Sequence, residues 1–263
     1  MNHKALTAAV RTVVITGGAG HLGQSVARWW AKPDVLVVLI DREAGKLKQC
    51  RVDLERLGAS AIAIEADITD SGALQHAISS LPAAAWRSPP SLVLTHGISG
   101  KGPDGTGIGL ATVDFARWTK VLDANLTSVV FTIQGFLPMM KRAGGGRVVL
   151  VSSAAGVAAS PTAALPYSVS KAAVAALPGI LANELAALGV LINAVAPGKF
   201  VNPDWPEDPE RLSRYEASVP LGRLASADEV AELVGFLGSA ANTYLTGQTV
   251  LLDGGRLLGA VKP

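Results

Sequence analysis

The chain predicts an α/β fold, a single doubly wound sheet of about seven mostly parallel strands flanked by helices. Three observations carry that expectation. Short β-branched apolar runs alternate with longer helical patterns along all 263 residues. The runs are apolar throughout instead of alternating with polar residues, so both faces of each strand are buried, as in a parallel sheet covered by helices. No linker, fixed-period repeat or low-complexity tract divides the sequence, which reads as one domain over 1–263.

The first strand, 12–16 (TVVIT), runs into a glycine turn and a helix over 22–32. Strand 35–41 (VLVVLID) is followed by helix 43–57, and strand 60–66 (SAIAIEA) by helix 71–80. These runs are rich in valine and isoleucine, whose branched side chains suit a pleated surface. Strand 91–95 (SLVLT) leads into a glycine-rich stretch, 99–110 (SGKGPDGTGIGL), and then into helices 112–122 and 125–142. After strand 147–152 (RVVLVS) come helix 167–188 and strand 190–195 (VLINAV). A segment rich in proline and charge, 197–220, precedes helix 226–239 and the last strand, 248–252 (QTVLL). Stretches as long as 99–110 and 197–220 are uncommon as plain connections, so both read as functional, the second as a substrate loop.

Composition excludes several classes of function. Lys plus Arg number 23 and Asp plus Glu 21, a net charge of +2, with no basic run and no tryptophan interleaved with basic residues. That excludes a nucleic-acid partner and an acidic membrane surface. Cys50 is the single cysteine, so no internal disulfide forms and a reducing, cytoplasmic setting is expected. Residues 1–11 (MNHKALTAAVR) lack the apolar stretch of a signal peptide, and no apolar run approaches a membrane span. His3, His21, His76 and His96 are scattered without a cysteine cluster, so no metal site is expected.

The segment "TGGAGHLG", residues 16–23, joins a strand to a helix. Free backbone N–H groups and the helix dipole make such a junction an anion site. Gly17, Gly18, Gly20 and Gly23 let the backbone turn tightly and approach a pyrophosphate, with Thr16 before them and Leu22 inside the helix start. His21 either packs or caps beside the pyrophosphate or touches it directly. Asp41, eighteen positions past Gly23, has the spacing of a carboxylate that holds ribose hydroxyls, and Arg42 follows it. Asp67, before Ile68, either accepts from an adenine amino group or caps the next helix.

"YSVSK" places Tyr167 and Lys171 four residues apart on one helical face. A free phenol titrates near 10, and a neighbouring cation lowers that value. A phenol so tuned can exchange a proton with an alcohol or ketone. Upstream, "VVLVSSAAG" sets Ser152 and Ser153 at the C-terminal end of a buried strand, where open α/β sheets carry their ligands.

At these residues the chain resembles the short-chain dehydrogenase/reductase family, over almost its whole length. The resemblance implies a Rossmann-like domain in which Ser153 hydrogen-bonds the substrate oxygen. Asn125, in "VLDANLTSV", would carry a water-linked proton relay. Lys171 would grip the nicotinamide ribose as well as tune Tyr167. In "INAVAPGKF", Pro197 and Gly198 would form the turn over the nicotinamide, with Asn202 doing the work of the family's threonine. "YLTGQTVLLDGG" resembles a C-terminal strand that packs at a subunit interface, which implies a homotetramer or homodimer. Two departures stand out. The loop has the TGxxGxxG spacing of the family's extended members, whereas the chain has the length of its short ones. Where the family has NNAG, this chain has Leu94-Thr95-His96-Gly97. Gly97 keeps the close pass of backbone to cofactor ribose; His96 either packs and bonds internally or faces the cofactor.

The expected function is therefore an NAD-dependent oxidoreductase interconverting a secondary alcohol and its ketone. Two rivals remain open: a nucleotide-sugar epimerase or dehydratase, suggested by TGxxGxxG, and an NAD(H)-sensing regulatory protein without turnover. Segments 154–165, 99–110 and 199–219 should wall a small, apolar substrate pocket. Lys199 would imply an anionic substrate group if it faces inward, and is otherwise a solvated loop residue.

Overall fold

Seven strands, all parallel, lie in the order β3-β2-β1-β4-β5-β6-β7. They are β1 (Arg11–Thr16), β2 (Val35–Asp41), β3 (Ser60–Glu65), β4 (Ser91–Leu94), β5 (Gly146–Val151), β6 (Val190–Pro197) and β7 (Thr249–Leu252). The computed structural model describes residues 11–102, 107–160, 162–203 and 208–259. Strand order reverses between β1 and β4, and the crevice at their carboxyl ends is where such sheets bind ligands. Register places Thr16 beside Ile40 on one side and Leu94 on the other, so the ends of β1, β2 and β4 converge on that crevice.

The helices are α1 (His21–Trp29), α2 (Ala44–Arg56), α3 (Ser71–Ser79), α4 (Phe115–Leu122), α5 (Ser128–Arg142), α6 (Ala154–Val157), α7 (Leu165–Ala186), α8 (Pro209–Ala217) and α9 (Ala227–Gly238). Because side chains alternate across a strand, each apolar run feeds two core layers. Val13, Ile15, Val37 and Leu39 pack with Val26 of α1, Leu47 of α2 and Val230 and Val234 of α9. Val14, Val38, Ile40, Leu92 and Leu150 pack with Ile78 of α3, Phe136 and Met140 of α5 and Val174 of α7.

Three features depart from the sequence reading. The helix expected over 125–142 begins instead with a π-helical turn, Asp123–Thr127, that continues α4 into α5. The 197–220 segment is not all loop: α8 lies in it, capped by Asp208, whose carboxylate accepts from the N–H groups of Glu210 and Arg211 at 2.8 and 3.1 Å. Finally, α7 is long and apolar enough to cross a membrane by length and composition, contrary to the expectation that no run is. It packs along β6 and against α4 and α6, and presents Tyr167 and Lys171 to the crevice. Parts of the expected pocket walls, 103–106, 161 and 204–207, lie outside the described residues, as do 1–10 and 260–263.

Candidate active site

The glycine loop is shaped by what cannot fit there. Gly17 has φ +72°, and a Cβ on it would stand 2.7 Å from the backbone nitrogen of His96. A Cβ on Gly23 would run into the Gly17 carbonyl. The turn closes through Gly20 N–H donating to the Gly17 carbonyl at 3.1 Å, and α1 starts without a side-chain cap. Its first N–H groups are therefore directed at the crevice, as an anion site requires. The Asp41 carboxylate is drawn against the loop, accepting from Ala19 N–H at 3.1 Å and from Glu43 N–H at 3.2 Å.

Several loop residues do other work than expected. Leu22 is buried in the core layer of α1, so only its backbone serves the loop. The Thr16 hydroxyl is buried and bonded to His96, not directed at a ligand. Near His21, the Asp228 carboxyl of α9 is held below its ordinary range chiefly by Ser25 and then by Arg28, with His21 the smallest contributor. Asp67 is no helix cap: Asp70 caps α3, bonding Ala73 N–H at 2.9 Å. Asp67 instead accepts from the Thr69 hydroxyl and N–H, at 2.7 and 2.9 Å, which hold its carboxyl below the usual range. With Arg42, Thr69 and Ile98 it lines a groove running up to α4. Ile68 packs against the core.

Asn125 sits in the π-helical turn, fully buried. Its Oδ1 accepts from Ile98 N–H at 2.7 Å, while Nδ2 donates to Ile98 O and to Ser170 Oγ, both at 3.0 Å. The amide thus fixes the chain just after Gly97 to α7. Gly97 has no room for a side chain that would not crowd Asn125 Oδ1, at 3.1 Å, and Lys171 Nζ, at 3.2 Å. A π-turn inside a long helix is a frequent mark of a functional site.

Ser153, two residues past β5, caps α6 in extended backbone, and its Oγ accepts from Ala155 N–H at 3.2 Å. Ser153 and Tyr167 hydroxyls are neighbours: burial pushes the phenol up, and the Ser153 hydroxyl pulls it back. Lys171 is 4% exposed, donates to Val151 O at 2.8 Å, and lies 6.0 Å from the centre of the Tyr167 ring. Burial lowers its ammonium to about 8. This corrects the expectation that Lys171 lowers the phenol. The ammonium is turned to a carbonyl, and desolvation of the phenolate is the larger effect. A protonated Tyr167 is therefore the resting form.

Spacing gives Ser170 and Gly156 no role, and gives Ser152 only its place beside Ser153 at the strand end. Ser152 Oγ donates to Lys171 O at 2.6 Å, clamping α7 to β5 at the catalytic turn of the helix. Ser170 Oγ donates to Tyr167 O at 2.8 Å while accepting from Asn125. A Cβ on Gly156 would collide with the Lys171 backbone, so only glycine lets α6 lie this close to α7. Serine and glycine are too common in "SSAAG" and "YSVSK" for a sequence signal to assign these contacts.

His96 bonds internally through its ring. Thr16 Oγ1 and Nδ1 are 2.6 Å apart, and Nε2 is 3.0 Å from Ser128 Oγ. Burial, reinforced by the Lys171 charge, lowers its pKa from 6.5 to about 3. The unfolded chain therefore binds a proton between those values that the folded chain does not, so stability is full above pH 6.5 and is lost as pH falls toward 3. Unfolding free energies of His96→Asn and parent, from denaturant titrations between pH 7 and pH 4, should converge on acidification by up to roughly 1.4 kcal/mol per pH unit. A constant difference would show that His96 titrates normally in the fold.

Over the crevice, β6 ends at Pro197, and Gly198 N–H donates to Leu252 O at 2.8 Å. Lys199 N–H donates to the Tyr215 hydroxyl at 2.9 Å, and its ammonium lies 5.2 Å from the Tyr215 ring centre. Arg256 lies 4.4 Å from the same ring centre. Lys199 is thus packed on α8 and is no free loop residue; burial is the chief reason its pKa is lowered. Asn202 follows Val201, whose N–H donates to Ala225 O.

The cradle of Gly17 and Gly23, the Asp41 carboxylate and the buried Lys171 ammonium suit a nicotinamide dinucleotide. Asn125, Ser153, Tyr167 and Lys171 gather at the ends of β4 and β5 beside that cradle. No group of three or more His, Cys, Asp or Glu placed to hold a metal occurs among the described residues.

The sequence model of a family described as enoyl-(acyl carrier protein) reductase matches residues 17–256. The chain is 35% identical over 251 residues to cis-4-hydroxycyclohexanecarboxylate dehydrogenase of Sinomonas cyclohexanicum, covering 94% of this chain and 96% of that one. It is 31% identical over 262 residues to the rhamnolipid-biosynthesis 3-oxoacyl-[acyl-carrier-protein] reductase of Pseudomonas aeruginosa, covering 96% and 98%. Among solved structures, a 3-oxoacyl-[acyl-carrier protein] reductase from Brucella melitensis with bound NAD superposes with a TM-score of 0.85. It is 30% identical, over 95% of this chain and 92% of that one.

Proposed function

Because the chain belongs to the short-chain dehydrogenase/reductase family, whose members use a nicotinamide cofactor, we propose that it is an NAD-dependent oxidoreductase interconverting a secondary alcohol and its ketone. The observation that carries this reading is the gathering of Ser153, Tyr167, Lys171 and Asn125 against the glycine cradle. When bound, the nicotinamide supplies or accepts the hydride. Ser153 and Tyr167 hydroxyls bind the substrate oxygen. Tyr167, held protonated by burial, gives its proton to a ketone oxygen as general acid and takes it back from an alcohol as general base. Lys171, anchored on Val151 O, presents its remaining N–H bonds to the cofactor ribose. Asn125 holds the turn through which protons reach Lys171 from solvent.

Asp41 sets the cofactor choice. Its carboxylate is fixed by two backbone N–H groups, where it bonds a ribose diol and repels a 2′-phosphate. Arg42 lies 3.8 Å from Glu43, which offsets its charge. NAD(H) should exceed NADP(H) by at least tenfold in kcat/KM, about 1.4 kcal/mol. Absorbance of the reduced cofactor, with a panel of secondary alcohols and ketones, tests both reaction and preference. Equal turnover with NADP(H) overturns the preference. Binding without any turnover favours the regulatory alternative, and turnover of nucleotide sugars alone the epimerase.

The setting is cytoplasmic, in keeping with a lone buried Cys50, and the partner is a second copy of the chain. Outward faces of α5 and α7 carry Phe131 at 53% and Ile180 at 70% exposure, and Tyr244 near β7 is 94% exposed. Covering both patches makes a homotetramer, and covering one a homodimer.

A further inference from the structure

We propose that His96 is a positioning residue: its imidazole ties the end of β1, and with it the glycine loop, to the wide turn that carries Asn125. The assignment rests on the dehydrogenase reading for its catalytic meaning, but its geometry stands alone.

The direction of each hydrogen bond follows from one group. Ser128 Oγ lies 3.0 Å from Ala124 O, and a carbonyl only accepts, so the Ser128 proton points there. At its other contact Ser128 must then accept, which makes His96 Nε2 the donor. The Nδ1 atom of a neutral ring carries the lone pair and accepts from the Thr16 hydroxyl. A polarised chain therefore runs from Thr16 through His96 and Ser128 to Ala124 O, with every member satisfied. Such a chain, with buried Thr16 and Ser128 on either side of a half-buried ring, stiffens what it joins.

What it joins is specific. Thr16 is the last residue of β1, and the backbone of His96 is the surface on which Gly17 rests. At the other end, Ser128 N–H bonds Asp123 O, one residue further back than in an α-helix, so Ala124 O loses its usual helical donor from Ser128. The Ser128 hydroxyl supplies one in its place. Asn125 lies between those two carbonyls and Ser128, so the imidazole braces the turn that aims its amide at Ile98 and Ser170. His96 touches no reacting atom and acts through that turn.

Two measurements test this. Long-range 1H–15N spectra of the intact protein at pH 7 should show His96 as the Nε2–H tautomer; an Nδ1–H ring overturns the chain. Kinetics with NADH and the best ketone should show kcat reduced roughly tenfold in both His96→Phe and Ser128→Ala, as small misplacements of catalytic groups do, with KM for the ketone within twofold. The double variant should be no slower than the slower single, because both cut one chain. Parental kcat in either variant, or multiplying losses in the double, overturns the coupling. If His96→Phe does not fold, Ser128→Ala decides alone. If the parent turns over no ketone, the dehydrogenase reading fails. The tautomer and non-additive unfolding free energies of the same variants then decide the coupling.

Discussion

Replacing Tyr167 by phenylalanine is expected to lower kcat by about 10²–10⁴-fold while NAD binding and folding stay near parental values. The substitution removes one hydroxyl and keeps the ring that packs at the start of α7. What anchors that turn is Ser170 Oγ on the Tyr167 carbonyl and Ser152 Oγ on the Lys171 carbonyl, neither of which involves the phenol oxygen. The glycine cradle and Asp41 are likewise untouched. The phenol hydroxyl has the Ser153 hydroxyl as its neighbour, and Ser153 Oγ keeps its bond from Ala155 N–H when the phenol oxygen is gone. Its whole effect falls on proton exchange with the substrate oxygen. Calorimetric NAD affinity and single-turnover rates separate the two. A folded, NAD-binding Tyr167→Phe protein that keeps more than a tenth of the parental rate would remove this mechanism.

The second large effect is expected at Gly23. In an ordinary helix interior, glycine to alanine gains about 1 kcal/mol. Here the added methyl would overlap the Gly17 carbonyl and lie 3.0 Å from Gly18 Cα, all backbone that cannot rotate away. Either α1 moves off the loop or the loop opens. Overpacking of this kind costs about 1–3 kcal/mol, and an opened loop no longer aims its N–H groups at one point. NAD affinity should fall more than tenfold, and the denaturant midpoint should drop. Gly45→Ala is the control, since a Cβ there meets nothing within 4 Å; it should hold or raise stability and leave NAD affinity alone. Affinity of Gly23→Ala within threefold of the parent would show that this loop is not the phosphate cradle.

Much of the molecule was legible in one dimension because it is written in local terms. Strand 35–41 falls at its expected residues, and the other strands within about two, because buried parallel strands must be apolar on both faces. Tyr167 and Lys171 face one environment because a step of four residues is little more than one helical turn. The glycine loop is legible for a similar reason: two of its positions admit no Cβ at all.

What stayed illegible depends on residues far apart in the chain. Helix α8 hides in a segment of proline and charge, where a cap at Asp208 outweighs weak periodicity. The π-turn looks like ordinary helix, since Asn125 is held by Ile98 and Ser170, 27 and 45 residues away. Sequence determined which groups the site contains: a phenol, an ammonium, two serines, an amide and a glycine cradle. Only the tertiary structure decided their states. Spacing predicted that Lys171 would lower the Tyr167 phenol, yet burial sets the sign, and the lysine is turned to Val151 O. His96 could not be assigned until Thr16 and Ser128, 80 and 32 residues away, were brought to its two nitrogens. Identity and local pattern are properties of the chain; desolvation and hydrogen-bond direction belong to the packed interior.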